Sequence, residues 1–248
     1  AAQLPRPLQA WLKLDTGMNR LGFPPGAARD AWRRLRSCAA VGPDLRLMTH
    51  LACADGRDAS VTDTQLQRFA AALGDLPGER SVANSAGLLW RPDSHADWVR
   101  PGIVLYGVSP FADQDGAELG LRAVMTLAST VIALRDVRRG ERVGYGGLWT
   151  AREDCRVAIA AIGYGDGYPR RLGSGAPVRV RGQRAPLAGR ISMDMIAVDV
   201  TRVPGVRVGD EVTLWGEGLP VEELARLADT IPYELLCGVT QRVGVTLT

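Results

Sequence analysis

The sequence predicts two regions of different class: an α/β region over residues 1–121 and a mainly β region over residues 122–248. Three observations carry this. Up to about Leu121, short apolar runs alternate with amphipathic helical stretches, the rhythm of right-handed βαβ crossovers in a parallel sheet. From Val124 onward, runs rich in β-branched residues are separated by glycine turns, the texture of short strands. Between the two textures lies the Gly-rich segment Gly116 to Gly120.

In order along the chain, Trp11 to Leu14 alternates like a short buried strand, and Thr16-Gly17-Met18-Asn19 breaks the pattern with a turn. Pro24-Pro25-Gly26 precedes a helical run from Ala27 to Ser37, with Ala28, Trp32 and Leu35 near one face. Pro43-Asp44 ends that unit. Leu45 to Leu51 reads as the second strand, with His50 at its end, and Val61-Thr62-Asp63 opens a helix running to about Leu73. Leu76-Pro77-Gly78 closes it. Ser81 to Ala83 is the third strand and Pro101 to Val108 the fourth. Four such units cannot close an eight-stranded barrel. In the second region Val124 to Val137, Arg156 to Ile162, Val178 to Val180, Met195 to Val200 and Glu211 to Trp215 read as strands. One helix interrupts them, opened by Leu219-Pro220, with Glu222 and Glu223 in its first turn, where acidic groups complement the helix dipole.

Composition narrows the function classes. The 248 residues are 46% hydrophobic and 23% charged, ordinary for one or two packed domains. Lys13 is the only lysine, so the basic side chains are nearly all arginine, scattered rather than striped. With a formal net charge of +3, neither nucleic-acid nor membrane binding is indicated. Cys38, Cys53, Cys155 and Cys237 are far apart, without a C-x-x-C pair, which predicts no metal site and no disulfide framework and fits a cytoplasmic protein. No apolar run approaches the roughly 18 residues of a membrane span.

Several residues stand where chemistry is expected. Lys13, Asp15 and Arg20 lie at a strand tip, and ligands of α/β folds collect at the carboxyl ends of strands. The same pattern is that of a buried ion pair beside a surface arginine. His50, one of only two histidines, also ends a strand, where a satisfied core histidine is the ordinary reading. Asn84 and Ser85 offer small polar groups and free amides, as a phosphate cradle or as a plain turn. Tyr145 sits in Val143-Gly144-Tyr145-Gly146-Gly147, whose glycines let the backbone turn sharply and present the ring.

Eight blocks, in order, carry a resemblance. They are KLDTGMNRLGF from Lys13, MTHLACAD from Met48, SVANSAGLL from Ser81, WVRPGIVLYG from Trp98, VGYGG from Val143, AIGYGDGYPRRL from Ala161, APLAGRISMDM from Ala185 and PYELLCGVTQRV from Pro232. Together they resemble the alanine racemases, pyridoxal-phosphate enzymes that interconvert L- and D-alanine for peptidoglycan precursors. The resemblance implies the C-terminal half of a (β/α)8 TIM-type barrel, followed by a mainly β C-terminal domain. It also implies that an N-terminal segment bearing the Schiff-base lysine is absent. That half-barrel would then come from the same or a separate chain, and this chain alone would be inactive.

The resemblance assigns roles residue by residue. Ser85, Gly102 and Ile103, with Asn84 beside them, would hold the cofactor phosphate. Arg100 would face the pyridine nitrogen and His50 would support the catalytic tyrosine. Tyr145 would be one of two bases, reaching the cofactor of the opposite subunit in a homodimer with shared active sites. Arg20 would orient the substrate carboxylate, supported by Lys13, which is carbamylated in some members. Tyr164, Met193 and Asp194 would line the substrate entrance and carboxylate pocket. A non-catalytic cofactor-binding or dimerisation remnant, or a racemase of another amino acid such as serine, are the other readings.

Overall fold

The computed structural model describes residues 6–247 and divides into two compact units, Ala1–Val104 and Leu105–Thr248. The first unit contains β1 (Trp11–Lys13), α1 (Ala28–Arg36), β2 (Arg46–Met48), α2 (Ser60–Leu73), β3 (Arg80–Ser81) and α3 (Ser85–Trp90). The strands pair in parallel in the order β1-β2-β3, with Trp11 opposite Arg46 and Leu47 opposite Arg80. Leu12, Leu14, Leu45 and Leu47 are buried, as are Ala28, Ala31, Phe69 and Leu73 of the helices. Every loop that follows a strand therefore leaves the same edge of this small sheet.

The fourth strand expected over Pro101 to Val108 does not form. Its place beside β3 is taken earlier, by a parallel bridge between Ser81 and Trp98, with Trp98 N donating to Arg80 O (3.0 Å) and Arg100 N to Ala83 O (2.9 Å). Proline has no N–H to continue a ladder, and the next amide, Gly102 N, donates to Ser85 Oγ instead (2.9 Å). The chain then turns through a 3-10 stretch at Ile103–Tyr106. Asn84 to Gly87, read as a turn, opens the helix α3 because the Asn84 side chain caps it, Oδ1 accepting from Gly87 N (3.0 Å).

The second unit holds β4 (Leu127–Val137), β5 (Arg142–Val143), β6 (Trp149–Thr150), β7 (Cys155–Ala160), β8 (Pro177–Val180), β9 (Gln183–Pro186), β10 (Ile196–Asp199) and β11 (Glu211–Trp215). Six of them form an antiparallel sheet in the order β10-β7-β4-β11-β8-β9. Its two ends meet through a Leu187–Val198 bridge and a bond from Ala188 N to Ala197 O (2.8 Å), so the sheet curls round on itself and neither edge stays open. Val131, Val178, Val180, Val198, Leu214 and Trp215 are buried. β5 and β6 form a separate hairpin, with Tyr145 in its loop.

Two helices follow, α4 (Val221–Leu227) and α5 (Pro232–Gly238), where one was expected. The second opens with Pro232, whose fixed φ suits a first helical position. The boundary expected near Leu121 lies inside this unit. Leu105 to Gly120 is tied to it by Val124 N donating to Tyr106 O (3.0 Å) and by the buried Glu222 carboxylate, which accepts from Ser109 N (2.9 Å) and Gly116 N (2.8 Å). Among the described residues no helix is long and apolar enough to cross a membrane.

Candidate active site

The β1 loop holds its shape without the ion pair that its charges suggested. Asp15 Oδ1 accepts from Gly17 N (3.1 Å) and Asn19 N (3.0 Å), and these amides, Asn19 first, lower its pKa. Among the described residues no Lys13–Asp15 bridge exists. Asn19 adopts φ 55°, a conformation that Asn tolerates better than most residues, and the turn leaves Arg20 exposed. Lys13 is half-buried rather than buried.

Beneath this loop lies a buried polar network that the sequence reading missed. The Thr49 hydroxyl donates to Leu14 O (3.0 Å), so its 2.7 Å contact with Thr16 is donated by the Thr16 hydroxyl, which in turn accepts from Gln65 Nε2 (3.2 Å). Gln65 Nε2 also donates to His50 O (3.0 Å), and its Oε1 accepts from Ala52 N (2.8 Å). The available signal was a glutamine on the apolar face of α2, in register with the buried Thr62 and Phe69. A buried amide with every group satisfied rigidifies its surroundings, and here it fixes the backbone that presents His50.

Arg100 is the hub of the first unit. Its Nη1 donates to Ser81 Oγ (2.6 Å), while Nη2 reaches Thr49 O (2.7 Å), Val82 O (3.3 Å) and His50 Nδ1 (3.1 Å). A guanidinium only donates, so Nδ1 is the unprotonated ring nitrogen and the neutral imidazole carries its proton on Nε2. Burial, followed by the charges of Arg100, Lys13 and Arg20, holds the His50 pKa below the ordinary imidazole range. Burial also lowers that of Arg100. Nε of Arg100 has no partner among the described residues. Ser81 donates to Trp98 O (2.9 Å) while receiving from Arg100, so it relays between the two strand ends.

Close by, Ser85 Oγ accepts from Gly102 N (2.9 Å). That bond engages the Gly102 amide and leaves the Ser85 hydroxyl proton for another acceptor. Asn84 Nδ2 donates to Leu51 O (3.3 Å), which joins the phosphate-cradle candidates to the end of β2. Ile103 is buried at the head of the 3-10 turn.

In the second unit, Tyr145 is 70% exposed on a turn whose Gly144, Gly146 and Gly147 all have positive φ (73°, 73° and 56°). Only glycine takes up such a run without strain. Tyr164, Met193 and Asp194 come together on two adjoining turns, Tyr164 N donating to Ser192 O (3.0 Å) and Gly165 N to Met193 O (2.8 Å). A Cβ on Gly163 would lie 2.2 Å from Ser192 O and 2.3 Å from Met193 O, so the turns meet only because that side chain is absent. Arg242, not singled out from the sequence, bridges them by pairing with Asp194 and, at 3.3 Å, with Asp166.

Residues 1–110 match the family model described as alanine racemase, N-terminal domain, and residues 124–247 the model described as alanine racemase, C-terminal domain. The chain belongs to the alanine racemase family. It is 52% identical to the alanine racemase of Vibrio atlanticus (98% of this chain, 68% of that protein) and 55% identical to that of Thioalkalivibrio sulfidiphilus (98% and 67%). The crystal structure of biosynthetic alanine racemase from Pseudomonas aeruginosa superposes with a TM-score of 0.90 at 53% identity, over 98% of this chain and 67% of that one.

The chain thus spans about two-thirds of the length of these relatives. The match of residues 1–110 corrects the expectation that the family's N-terminal domain is absent, and nothing in these comparisons supports a separate half-barrel partner or inactivity of this chain. The fold is that of the family, an α/β barrel-type domain followed by a β domain. A bare half-barrel is not confirmed. Alanine racemases depend on pyridoxal phosphate.

Proposed function

We propose that this chain carries the racemising site of its family, with alanine as substrate and pyridoxal phosphate as cofactor. The observation that carries the reading is the Arg100 hub, which orients His50 and keeps an Nε–H without a partner among the described residues. Such a donor suits a pyridine nitrogen, and because a guanidinium does not give up its proton, that nitrogen stays unprotonated. Ser85, with its hydroxyl proton uncommitted, suits a phosphate oxygen beside Asn84, Gly102 and Ile103. When bound, pyridoxal phosphate withdraws electrons from the Cα–H bond of its amino-acid partner and makes that proton labile.

In this reading Tyr145 moves the proton on one face of the substrate, in the site of the opposite copy of a homodimer. A phenol of ordinary pKa near 10 serves as a base near neutrality only where neighbours favour the phenolate. His50 supplies that help, offering Nε2–H while Arg100 holds its other nitrogen. Arg20 receives the substrate carboxylate by paired hydrogen bonds, and Lys13 supports it, as the free amine or as a carbamate. Tyr164, Met193 and Asp194 line the entrance.

The test is solvent deuterium wash-in at Cα from each enantiomer, in the cofactor-loaded protein carrying these residues. Tyr145→Phe is expected to slow exchange from L-alanine on the order of 100-fold or more, and from D-alanine distinctly less. Equal slowing of both, or of neither, would overturn the role of Tyr145. Failure of the loaded wild type to racemise alanine would overturn the function.

A further inference from the structure

We infer that Arg242 is a positioning residue for the substrate entrance, clasping the turn of Tyr164 to the turn of Met193 and Asp194. The inference rests on the reading that these two turns line the entrance. The sequence Gly163-Tyr164-Gly165-Asp166-Gly167 is wedged between two other segments, and each glycine marks a contact. A Cβ on Gly163 would strike the Ser192 and Met193 carbonyls, and one on Gly167 would lie 2.2 Å from Gly238 O. One on Gly165 would lie 2.4 Å from Arg242 Nη1 and 3.1 Å from Met193 O. The guanidinium therefore lies directly against the backbone of the tyrosine turn.

The C-terminal segment also bonds to that turn, Thr240 N donating to Asp166 O (3.0 Å) and the Thr240 hydroxyl to Gly165 O (3.1 Å). Asp166 transmits the clasp. Its Oδ2 accepts from Gly163 N (2.9 Å), closing the turn, while its Oδ1 faces Arg242 Nε at 3.3 Å. Arg242 Nη2 donates to Asp194 on the other turn. One cation thus stands between two carboxylates, one from each side of the entrance, and the Asp166 side chain is only 13% exposed, so solvent screens it little. Without the cation the two anions would push the turns apart.

The experiment measures amide hydrogen exchange of the wild type, Arg242→Ala and Arg242→Lys in the protein carrying these residues, together with steady-state kinetics on alanine when cofactor-loaded. In Arg242→Ala the amides of Tyr164 and Gly165 are expected to exchange about fivefold faster, the upper range for an exposed ion-pair cluster, while amides of β4 and β7 keep their rates. KM for alanine should rise by a similar factor with kcat within about twofold, and Arg242→Lys should recover part of both. Unchanged exchange at Tyr164 and Gly165 would overturn the inference, as would uniformly faster exchange through the unit or a fall in kcat at constant KM. Exchange decides the clasp even if the wild type does not racemise alanine, a result that would sink the functional reading alone.

Discussion

Arg100 and Arg242 both fix candidate site residues through a guanidinium, but they do so in different surroundings. Arg100 is half-buried and its partners are all neutral: two carbonyls, Thr49 O just past β2 and Val82 O just past β3, a serine hydroxyl and an imidazole nitrogen. Arg242 is about half exposed and stands between two carboxylates. Desolvation lowers the pKa of the first, whereas the hydrogen bond to Asp194 and then the charges of Asp166 and Asp194 raise that of the second. A half-buried cation held by dipoles has few alternative arrangements, because each partner it abandons is left unsatisfied. A surface cation held by charges can exchange partners with water at small cost. The first arrangement suits groups that must stay aligned with a cofactor ring, and the second suits an entrance through which substrate must pass.

Deleting each side chain would break this comparison most directly. Arg100→Ala leaves Ser81, Val82, Thr49 O and His50 Nδ1 without their donor. With about 1 kcal/mol or more for each part-buried orphan, less the relief of no longer desolvating a charge, the expected loss is about 2–3 kcal/mol of unfolding free energy. Equilibrium denaturation should show it, with activity falling further than stability accounts for. Arg242→Ala should leave the denaturation midpoint within error. Comparable midpoints for the two variants would mean that burial is not what separates these sites.

What the sequence made legible follows the same division. Strand positions with one buried face were readable from alternation alone, and Glu211–Trp215 was placed to the residue. The positions of Lys13, His50 and Tyr145 at strand or hairpin ends were readable from the turn residues that follow or flank them, whereas Arg100 was read as the entrance to a strand and stands instead where the ladder ends. The failures occur where a side chain competes with the backbone ladder. Asn84 looks like a turn former, and only its bond to Gly87 N turns it into a helix cap. Pro101 looks like the start of a strand because apolar residues follow it, but the ladder had already ended at Arg100. Gln65 and Arg242 were missed because their importance lies in partners 49 and 48 residues away in sequence, Thr16 and Asp194, and no local pattern encodes such distances.

A pair of glycines sharpens the comparison at the level of backbone. Gly163 has an ordinary extended backbone (φ −153°), so its need for glycine is purely one of space, with carbonyl oxygens 2.2 and 2.3 Å from where a Cβ would sit. Gly146 has φ 73°, and a Cβ there would meet only the Leu148 side chain, at 3.8 Å. Gly163→Ala must move backbone and is expected to destabilise by about 1–3 kcal/mol, in the range of overpacked cores. Gly146→Ala incurs only the left-handed strain of about 1 kcal/mol and should instead alter how Tyr145 is presented. Thermal melts of the two variants should rank them in that order, and a reversed order would show that the contact between the Tyr164 and Met193 turns yields easily.

The smallest effect, and the most specific, is a pH dependence at His50. Its native pKa is depressed, by burial first and then by Arg100, Lys13 and Arg20. An imidazolium would also turn an N–H toward the Arg100 N–H that now donates to Nδ1. Above about pH 6.5, the ordinary imidazole value, native and unfolded chains both carry a neutral ring and His50 contributes no pH slope. Below it the unfolded chain takes up a proton that the native chain refuses, so unfolding is favoured and stability falls until the lower native pKa is reached, after which the slope vanishes. His50→Gln keeps an acceptor for Arg100 and removes the titration. The stability difference between wild type and His50→Gln should therefore be flat above about pH 7 and turn against the wild type on acidification. A wild type that gained stability relative to the variant as pH fell would mean that the native state prefers the imidazolium. Nδ1 could then no longer accept from Arg100, and the hub proposed to orient the catalytic tyrosine would have to be redrawn.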